Sequence, residues 1–143
     1  MQLFTVGFTQ TSAEEFFTKL KSAQVRRLID VRLNNKSQLA GFTKKTDLSY
    51  FLETLCDISY DHLIQLAPTR EMFNAYRKNN KSWRAYAQEF RLLMAERKIE
   101  MIGPEQMDGA CLLCSEKSPD NCHRRLIGEY LTGKWQRLEV IHL

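Results

Sequence analysis

The amino-acid sequence predicts an α/β fold: a single domain with a mainly parallel sheet of about five strands covered by helices. Short apolar runs of strand length alternate along the chain with longer segments in which apolar residues recur at helical spacing. Parallel neighbours need a crossover of helix length between them, so this alternation favours a parallel sheet. A length of 143 residues is enough for one sizeable core, and we assign residues 1–143 to one domain.

The composition is that of an ordinary globular protein with a mildly basic charge. Hydrophobic residues make up 43%, charged residues 27%, and the formal net charge is +4. No apolar run approaches the roughly 20 residues of a membrane span, and no signal peptide is recognised at the N-terminus. The four cysteines are not the pattern of a disulfide scaffold. We therefore expect a cytoplasmic protein with reduced thiols and no membrane partner, whose charge suits a phosphate-bearing partner.

The first part of the chain predicts two strands with a helix between them. Residues 2–6 form an apolar-rich run, and residues 25–31 form a second run of β-prone residues. Between them, apolar residues at helical spacing predict a helix over residues 12–23. Ser12 and Glu15 have the spacing of a capping box, in which each side chain satisfies a free backbone N–H at the helix start.

The middle of the chain begins with residues 33–45, which have no clean period and predict a basic loop over the carboxyl edge of the sheet. Thr46 or Asp47 then caps a helix whose apolar stripe includes Cys56, a position that indicates a core thiol. Residues 58–63 alternate in the manner of a third strand.

The remainder of the chain continues the alternation of helices and strands. In order, it predicts helices over residues 71–77 and 82–97, an irregular segment over 99–108, a strand over 110–114, a helix ending near Thr132 with Gly133 as its C-cap, and a strand over 138–143.

Residues that carry chemistry follow the first four predicted strands. They are Gly7 and Thr9 after the first, Asp30 and Arg32 after the second, His62 at the end of the third, and Cys114, Glu116, Cys122, His123 and Arg124 after the fourth. Parallel strands place their carboxyl ends at one edge of a sheet, where ligands bind in open α/β folds. We therefore expect these residues to face a single crevice.

Zinc binding is the first chemistry to consider for the turn after the fourth strand, because Cys111, Cys114, Cys122 and His123 offer four ligands. Zinc needs both thiolates of a pair to point at one centre. Cys111 and Cys114 lie in an apolar, strand-like run, so their sulfurs point to opposite faces. The sequence therefore predicts no metal site, either with this pair or elsewhere in the chain, and it implies no cofactor.

Thiol chemistry and anion binding are the two alternatives for the same turn. If Ser118 or Asp120 caps the following helix, Cys122 lies in its first turn, where free N–H groups and Arg124 would lower the pKa of the thiol. Cys122 is then a candidate nucleophile, although a small buried thiol packed under the turn fits the same pattern. The helix N-terminus with Arg124 or His123 also suits a phosphate or carboxylate.

The sequence resembles an uncharacterised bacterial family, the domain-of-unknown-function family numbered four hundred and eighty-eight, over nearly the whole chain. The pattern consists of the Thr5-Val6-Gly7 turn, the Asp30-Val31-Arg32 strand end, Phe42 with Lys44 or Lys45, Tyr60 and His62, and the turn Cys114-x-Glu116-x-x-Pro119-x-x-Cys122-His123-Arg124. The resemblance implies an α/β fold and assigns no activity. The first turn, Gly7-Phe8-Thr9, stands where the family commonly has Gly-His-Ser.

Two hypotheses of function follow. In the first, the crevice binds a phosphate-bearing ligand, such as a nucleotide or a nucleic-acid segment, with or without catalysis. Its roles are Arg32 and Arg124 as anion ligands beside Gly7 and Thr9, Asp30 or Glu116 as orienting groups, His123 or His62 as proton exchangers, and Cys122 as nucleophile. In the second, the protein is a non-catalytic binding or interaction module. The turn is then a structural lock, in which Glu116 and Asp30 pair with Arg124 and Arg32.

Overall fold

A computed structural model describes residues 1–36 and 41–143 and contains one five-stranded sheet. The strands are β1 (Gln2–Gly7), β2 (Arg27–Asp30), β3 (Ser59–His62), β4 (Ala110–Cys114) and β5 (Glu139–His142). All neighbours pair in parallel, in the order β3-β2-β4-β1-β5. The predicted α/β fold with a parallel sheet is confirmed, and the strand carboxyl ends share one edge. Residues 37–40 of the predicted basic loop lie outside the described residues.

Six α-helices connect the strands in the described ranges. They are α1 (Ala13–Ser22), α2 (Lys45–Phe51, continued by a π-helical turn over Leu52–Cys56), α3 (Arg70–Lys78), α4 (Trp83–Glu96), α5 (Pro104–Met107) and α6 (His123–Thr132). Short 3-10 turns span Gly41–Thr43, Ile64–Leu66 and Ile99–Ile102. None of these helices has the length and apolar character that crossing a membrane would require.

Two hydrophobic cores lie on opposite faces of the sheet. One face is covered by α1 and α2 through buried residues such as Phe16 and Leu48, and the other by α4 and α6 through Phe90 and Leu126. The central strand β4 is buried along its whole length. Because side chains alternate along a strand, it contributes to both cores, which explains its unbroken apolar sequence.

Helix starts agree with the sequence where a side chain caps them. Ser12 accepts from the backbone N–H of Glu15 at 3.1 Å, and Ser82 accepts from that of Ala85 at 3.2 Å. Each cap satisfies one of the N–H groups that have no partner within the helix. Gly133 follows α6 as its C-cap, as predicted.

The start of α2 differs from the prediction, because Lys44 rather than Thr46 or Asp47 is the N-cap residue. The backbone N–H of Lys45 donates to the carbonyl of Asn35 at 3.0 Å. This contact with the preceding loop satisfies a helix-terminal donor without a capping side chain. The sequence contains no local signal for it.

The predicted irregular segment over residues 99–108 is wrong, because it forms the 3-10 turn Ile99–Ile102 and the helix α5. Gly103 separates them with φ of 93°, a left-handed conformation that favours glycine. Pro104 then occupies the first turn of α5, where a missing N–H costs nothing. The Gly-Pro pair therefore joins two helical turns here.

The connections place a crevice at the carboxyl ends of β1 and β4. These neighbouring strands lead into helices on opposite faces of the sheet, since β1 continues into α1 and β4 into α6. A pair of this kind is a topological switch point, where the two chains diverge and leave room for a ligand.

Candidate functional site

A cavity of about 660 Å³ lies at the carboxyl edge of the sheet. Its volume is in the range of about 300–1,000 Å³ that is typical of ligand sites. Six of the predicted site residues line it, namely Thr9, Arg32, Cys114, Glu116, Cys122 and His123. A separate hollow of about 440 Å³ between α1 and α2 contains none of them.

Four predicted site residues lie outside this wall: Gly7, Asp30, His62 and Arg124. Gly7 ends β1 directly beneath the turn after β4, and a Cβ at this position would collide with the carbonyl oxygen of Glu116. The Nε2 atom of His62 lies 2.7 Å from the carbonyl oxygen of Arg32. Both residues support the backbone around the cavity.

Asp30 and Arg32 form a buried, bidentate ion pair at the end of β2. Arg32 donates from Nε to Oδ1 at 2.9 Å and from Nη2 to Oδ2 at 2.7 Å. Tyr60 donates its hydroxyl to Asp30 Oδ2 at 2.6 Å, and Nη2 of Arg32 also reaches the carbonyl of Thr43 at 2.7 Å. The second hypothesis expected this pair inside the protein.

The third nitrogen of the Arg32 guanidinium is not engaged by this network. Nη1 is buried and has no hydrogen-bond partner within residues 1–36 and 41–143. The side chain of Arg32 is 3% exposed, yet it lines the cavity. The centroid of the Phe8 ring lies 5.3 Å from the guanidinium carbon. Arg32 is thus a cavity-lining residue with one buried guanidinium nitrogen that has no partner among the described residues.

Arg124 occupies a different place from the one the sequence predicted. It is 1% exposed and donates from Nη1 to the carbonyl of Glu116 at 2.5 Å and from Nη2 to that of Lys117 at 3.2 Å. Its Nε lies 3.4 Å from the Thr5 hydroxyl. Backbone carbonyls of the turn thus occupy both terminal nitrogens of Arg124, and its role as an anion ligand stays a prediction.

The turn after β4 is also attached to β1. Thr9 donates to the carbonyl of Ser115 both from its backbone N–H at 3.0 Å and from its hydroxyl at 2.6 Å. The Glu116 carboxylate pairs with Arg77 of α3, not with Arg124 as the lock hypothesis expected. The turn is thus held by Thr9 and Arg124 from within, while its acidic side chain reaches the rim of the cavity.

The predicted environment of Cys122 is wrong in two respects. Ser118 accepts from the N–H of Asp120 and Cys122 donates its N–H to Pro119, so the turn closes on itself and Cys122 becomes the N-cap of α6. A hydrogen bond to Cys114 and burial raise the pKa of Cys122 well above its usual value. The reverse shift, expected from the helix N-terminus and Arg124, does not occur.

Cys114 is the thiol whose pKa is lowered. The hydrogen bond from Cys122 is the largest cause, and the backbone N–H of Ser115 and the charge of Arg124 add to it against the effect of burial. The Cys114 sulfur lies 3.6 Å from Nδ1 and 3.8 Å from Nε2 of His123. The sequence favoured Cys122 because of its expected place at the helix start near Arg124, and it contains no information on which of the two sulfurs donates to the other.

The imidazole of His123 is fixed in orientation. Its Nε2 lies 2.7 Å from the carbonyl oxygen of Val31, and its ring packs against Phe90 with 5.3 Å between centroids. A carbonyl oxygen only accepts, so Nε2 carries a proton and Nδ1 bears the lone pair when the ring is neutral. His123 can therefore act through Nδ1 as a base or as a ligand.

Cys114, Cys122 and His123 each offer one ligand atom, and these atoms lie within 4.8 Å of one another. All three side chains are buried. The sulfur of Cys111 is on the opposite face of β4, because Cys111 belongs to the core under α1 and Cys114 to the core under α6. The prediction that these two thiols diverge is confirmed.

The sequence missed the contribution of α3 and the start of α4 to the site. Arg70, Arg77 and Lys78 are basic residues on the rim, and Tyr76 and Trp83 form part of an aromatic wall. The sequence predicts the two helices near these residues but assigns the residues no role in the site. The amphipathic spacing of these helices predicts that one side of each packs against the protein, but it does not indicate which end of the sheet they cover.

The fold and this site define a parallel α/β protein, with helices on both faces of its sheet and a cavity of thiol, imidazole and guanidinium groups at the strand ends. The chain belongs to the family described as Domain of unknown function DUF488, whose model matches residues 12–131. The membership expected from the sequence is confirmed. No curated protein and no solved structure matches the chain significantly.

Proposed function

We propose that this protein binds a phosphate-bearing ligand of nucleotide size in the cavity at the strand carboxyl ends, as a protein of the cytoplasm. The observation that carries the proposal is the buried Nη1 of Arg32, which is without a partner in the described residues. A buried charged donor with no acceptor costs free energy. An oxygen of a phosphate would supply the acceptor in a charge-assisted hydrogen bond.

The arrangement around Arg32 suits a fixed anion contact. Asp30 holds Nε and Nη2, so the guanidinium plane is set before a ligand arrives. Preorganisation of this kind reduces the entropy that binding costs. Asp30 also compensates the charge of Arg32, so the positive potential at the cavity must come from other residues.

That potential is supplied by the rim. Besides the compensated Arg32, three basic side chains and one carboxylate line the cavity among the described residues: Arg70, Arg77, Lys78 and Glu116. Arg77 pairs with Glu116, and both side chains are partly exposed, so this pair is weak and can be rearranged by a ligand. The excess of positive charge favours an anion and raises the rate at which it associates.

The aromatic wall favours a ligand with a planar ring. Tyr76 and Trp83 line the cavity, with 5.8 Å between their ring centroids. Bases stack on such side chains whatever their sequence. A nucleotide would place its phosphate near Arg32 and its base against this wall. The second hypothesis, a structural lock, applies to the turn after β4, which Arg124 helps to hold. The proposed binding does not require Arg124 to contact the ligand.

Calorimetric titration of the full chain with a nucleoside monophosphate, the matching nucleoside and inorganic phosphate tests this proposal. The nucleoside monophosphate should bind more tightly than either fragment. The paired change Asp30→Asn with Arg32→Gln removes the guanidinium without leaving a buried, unpaired carboxylate. We expect it to weaken the monophosphate about tenfold or more, since a hydrogen bond to a charged group contributes roughly 1.5–3 kcal/mol.

Lys19→Gln is the matched control, because Lys19 is exposed on α1 and does not line the cavity. It should leave the affinity unchanged, whereas Arg77→Gln should reduce it and weaken its dependence on salt. Failure of the wild-type chain to bind any of the three probes would overturn the proposal. So would equal affinities for the monophosphate and the nucleoside.

A further inference from the structure

We propose that Cys114, Cys122 and His123 bind a zinc ion at the wall of the cavity. The argument against a four-ligand site with Cys111 does not apply to this set, because its three ligand atoms already lie within 4.8 Å of one another. The inference is independent of the proposed phosphate site, since it uses none of the basic residues that the latter requires.

The distances fit the ion. Zinc lies about 2.3 Å from thiolate sulfur and about 2.0 Å from imidazole nitrogen, so a tetrahedral ion separates the two ligand atoms by about 3.5 Å. The Cys114 sulfur and Nδ1 of His123 are 3.6 Å apart. The same sulfur is 3.8 Å from Nε2, so the separation suits the ion, but a side-chain rotation is needed to bring the sulfur in line with the Nδ1 lone pair.

The hydrogen bond of His123 to Val31 is the second observation. Histidines that bind metals usually donate the remaining ring N–H to a carbonyl or carboxylate, which fixes the tautomer and orients the ligand nitrogen. Here Nε2 lies 2.7 Å from the carbonyl oxygen of Val31, which leaves Nδ1 as the ring nitrogen with a lone pair. The ring is thus held in the state that ligation requires.

The ligands come from segments that are fixed by the fold. Cys114 is the last residue of the buried strand β4, and Cys122 and His123 open α6. Arg124 attaches the intervening turn through the carbonyls of Glu116 and Lys117. A site on such supports keeps its geometry without the metal and loses little entropy on binding it.

The ligand set selects the class of metal. Two sulfurs and one imidazole favour zinc over the hard ions magnesium and calcium, which prefer oxygen. Two thiolates also neutralise the charge of a divalent ion, which limits the cost of burying it. Three protein ligands leave one tetrahedral position for water or substrate, the pattern of catalytic zinc sites, and all three residues line the cavity.

Elemental analysis of the full chain tests the proposal directly. The untagged protein, expressed with added zinc and purified without chelator, should contain about one zinc per chain. Cys122→Ser and His123→Gln should each lower the content to well below one. Cys56→Ser is the matched control, because Cys56 lies on the other face of the sheet and should leave the content unchanged.

A measurement on the wild-type chain tests the proposal even if the variants do not fold. Cobalt(II) added to the metal-free protein should give a thiolate-to-cobalt charge-transfer band and the visible bands of a tetrahedral site. Zinc should abolish both bands and slow alkylation of Cys114 and Cys122, as mapped by peptide mass, while alkylation of Cys56 is unchanged. Wild-type protein that takes up neither metal overturns the proposal, and so does zinc retained by folded Cys122→Ser and His123→Gln chains.

Discussion

Gly7 is the residue at which β1 and the turn after β4 approach most closely. Its backbone lies against the carbonyl of Glu116, and the guanidinium of Arg124 is near the same position. A methyl group here would push apart the two segments that frame the cavity. We expect Gly7→Ala to lower the free energy of unfolding by about 1–3 kcal/mol, as overpacking does elsewhere. Denaturant unfolding followed by circular dichroism measures this change.

Gly41→Ala is the control for that change. A Cβ at Gly41 meets no atom of the described residues within 4 Å, so the same substitution should stay within about 0.5 kcal/mol of wild type. Equal stability of the two variants would show that the turn after β4 can move away from β1 at little cost. In that case the cavity would not be held open by this contact.

Arg32 and Arg124 show how far the site is predictable from residue types. Both were expected to hold an anion, and both are buried. Arg124 donates to two backbone carbonyls. Arg32 pairs with a carboxylate, and its Nη1 has no partner among the described residues. The sequence locates such residues at strand ends, but it does not contain the tertiary contacts that decide which donors stay available.

The helices of this protein begin either with a local side-chain cap or with a contact to a distant backbone carbonyl, and only the first can be predicted from the sequence. Ser12 and Ser82 accept from backbone N–H groups three residues ahead, a local interaction with a sequence signature. Lys45 instead donates to Asn35 across a loop. A helix start that depends on a distant carbonyl has no sequence signature at the start itself. The predicted N-cap of α2 is therefore wrong, whereas the predicted N-terminal residues of α1 and α4 agree with the structure.

The cap of α1 gives a prediction at this scale. Ser12→Ala removes the acceptor of the Glu15 N–H and should cost about 1 kcal/mol of stability. Ser12→Asn keeps a side-chain acceptor and should change stability by a few tenths of a kcal/mol. Thermal and urea unfolding of the two variants measure the difference. If Ser12→Ala were as stable as Ser12→Asn, water would be satisfying this helix end equally well.

At the scale of the whole molecule, the order of the strands creates the site. β4 lies between β2 and β1, so the second, fourth and first strand ends become neighbours although they are distant in sequence. The alternation of strands and helices predicted a shared edge for these ends, because parallel strands must point the same way. It did not predict the order, which depends on how the two cores pack and therefore on contacts between distant segments.

The same order predicts how stability is distributed. β4 is buried throughout and pairs on both sides, whereas the described contacts of β5 and β3 are with one neighbour each, and both are partly exposed. Amides of β4 should therefore exchange with solvent only on global unfolding, and those of β5 through smaller openings of lower free energy.

Hydrogen exchange measured by mass spectrometry or NMR, in native buffer and in low denaturant, tests this distribution. Protection of β4 should fall with denaturant as steeply as global stability does, while that of β5 should hardly respond. Equal protection in the two strands would mean that the sheet opens as one unit. If β4 is the last strand to open, Cys114 at its end keeps its place beside His123 through every smaller fluctuation, which a site of fixed geometry requires.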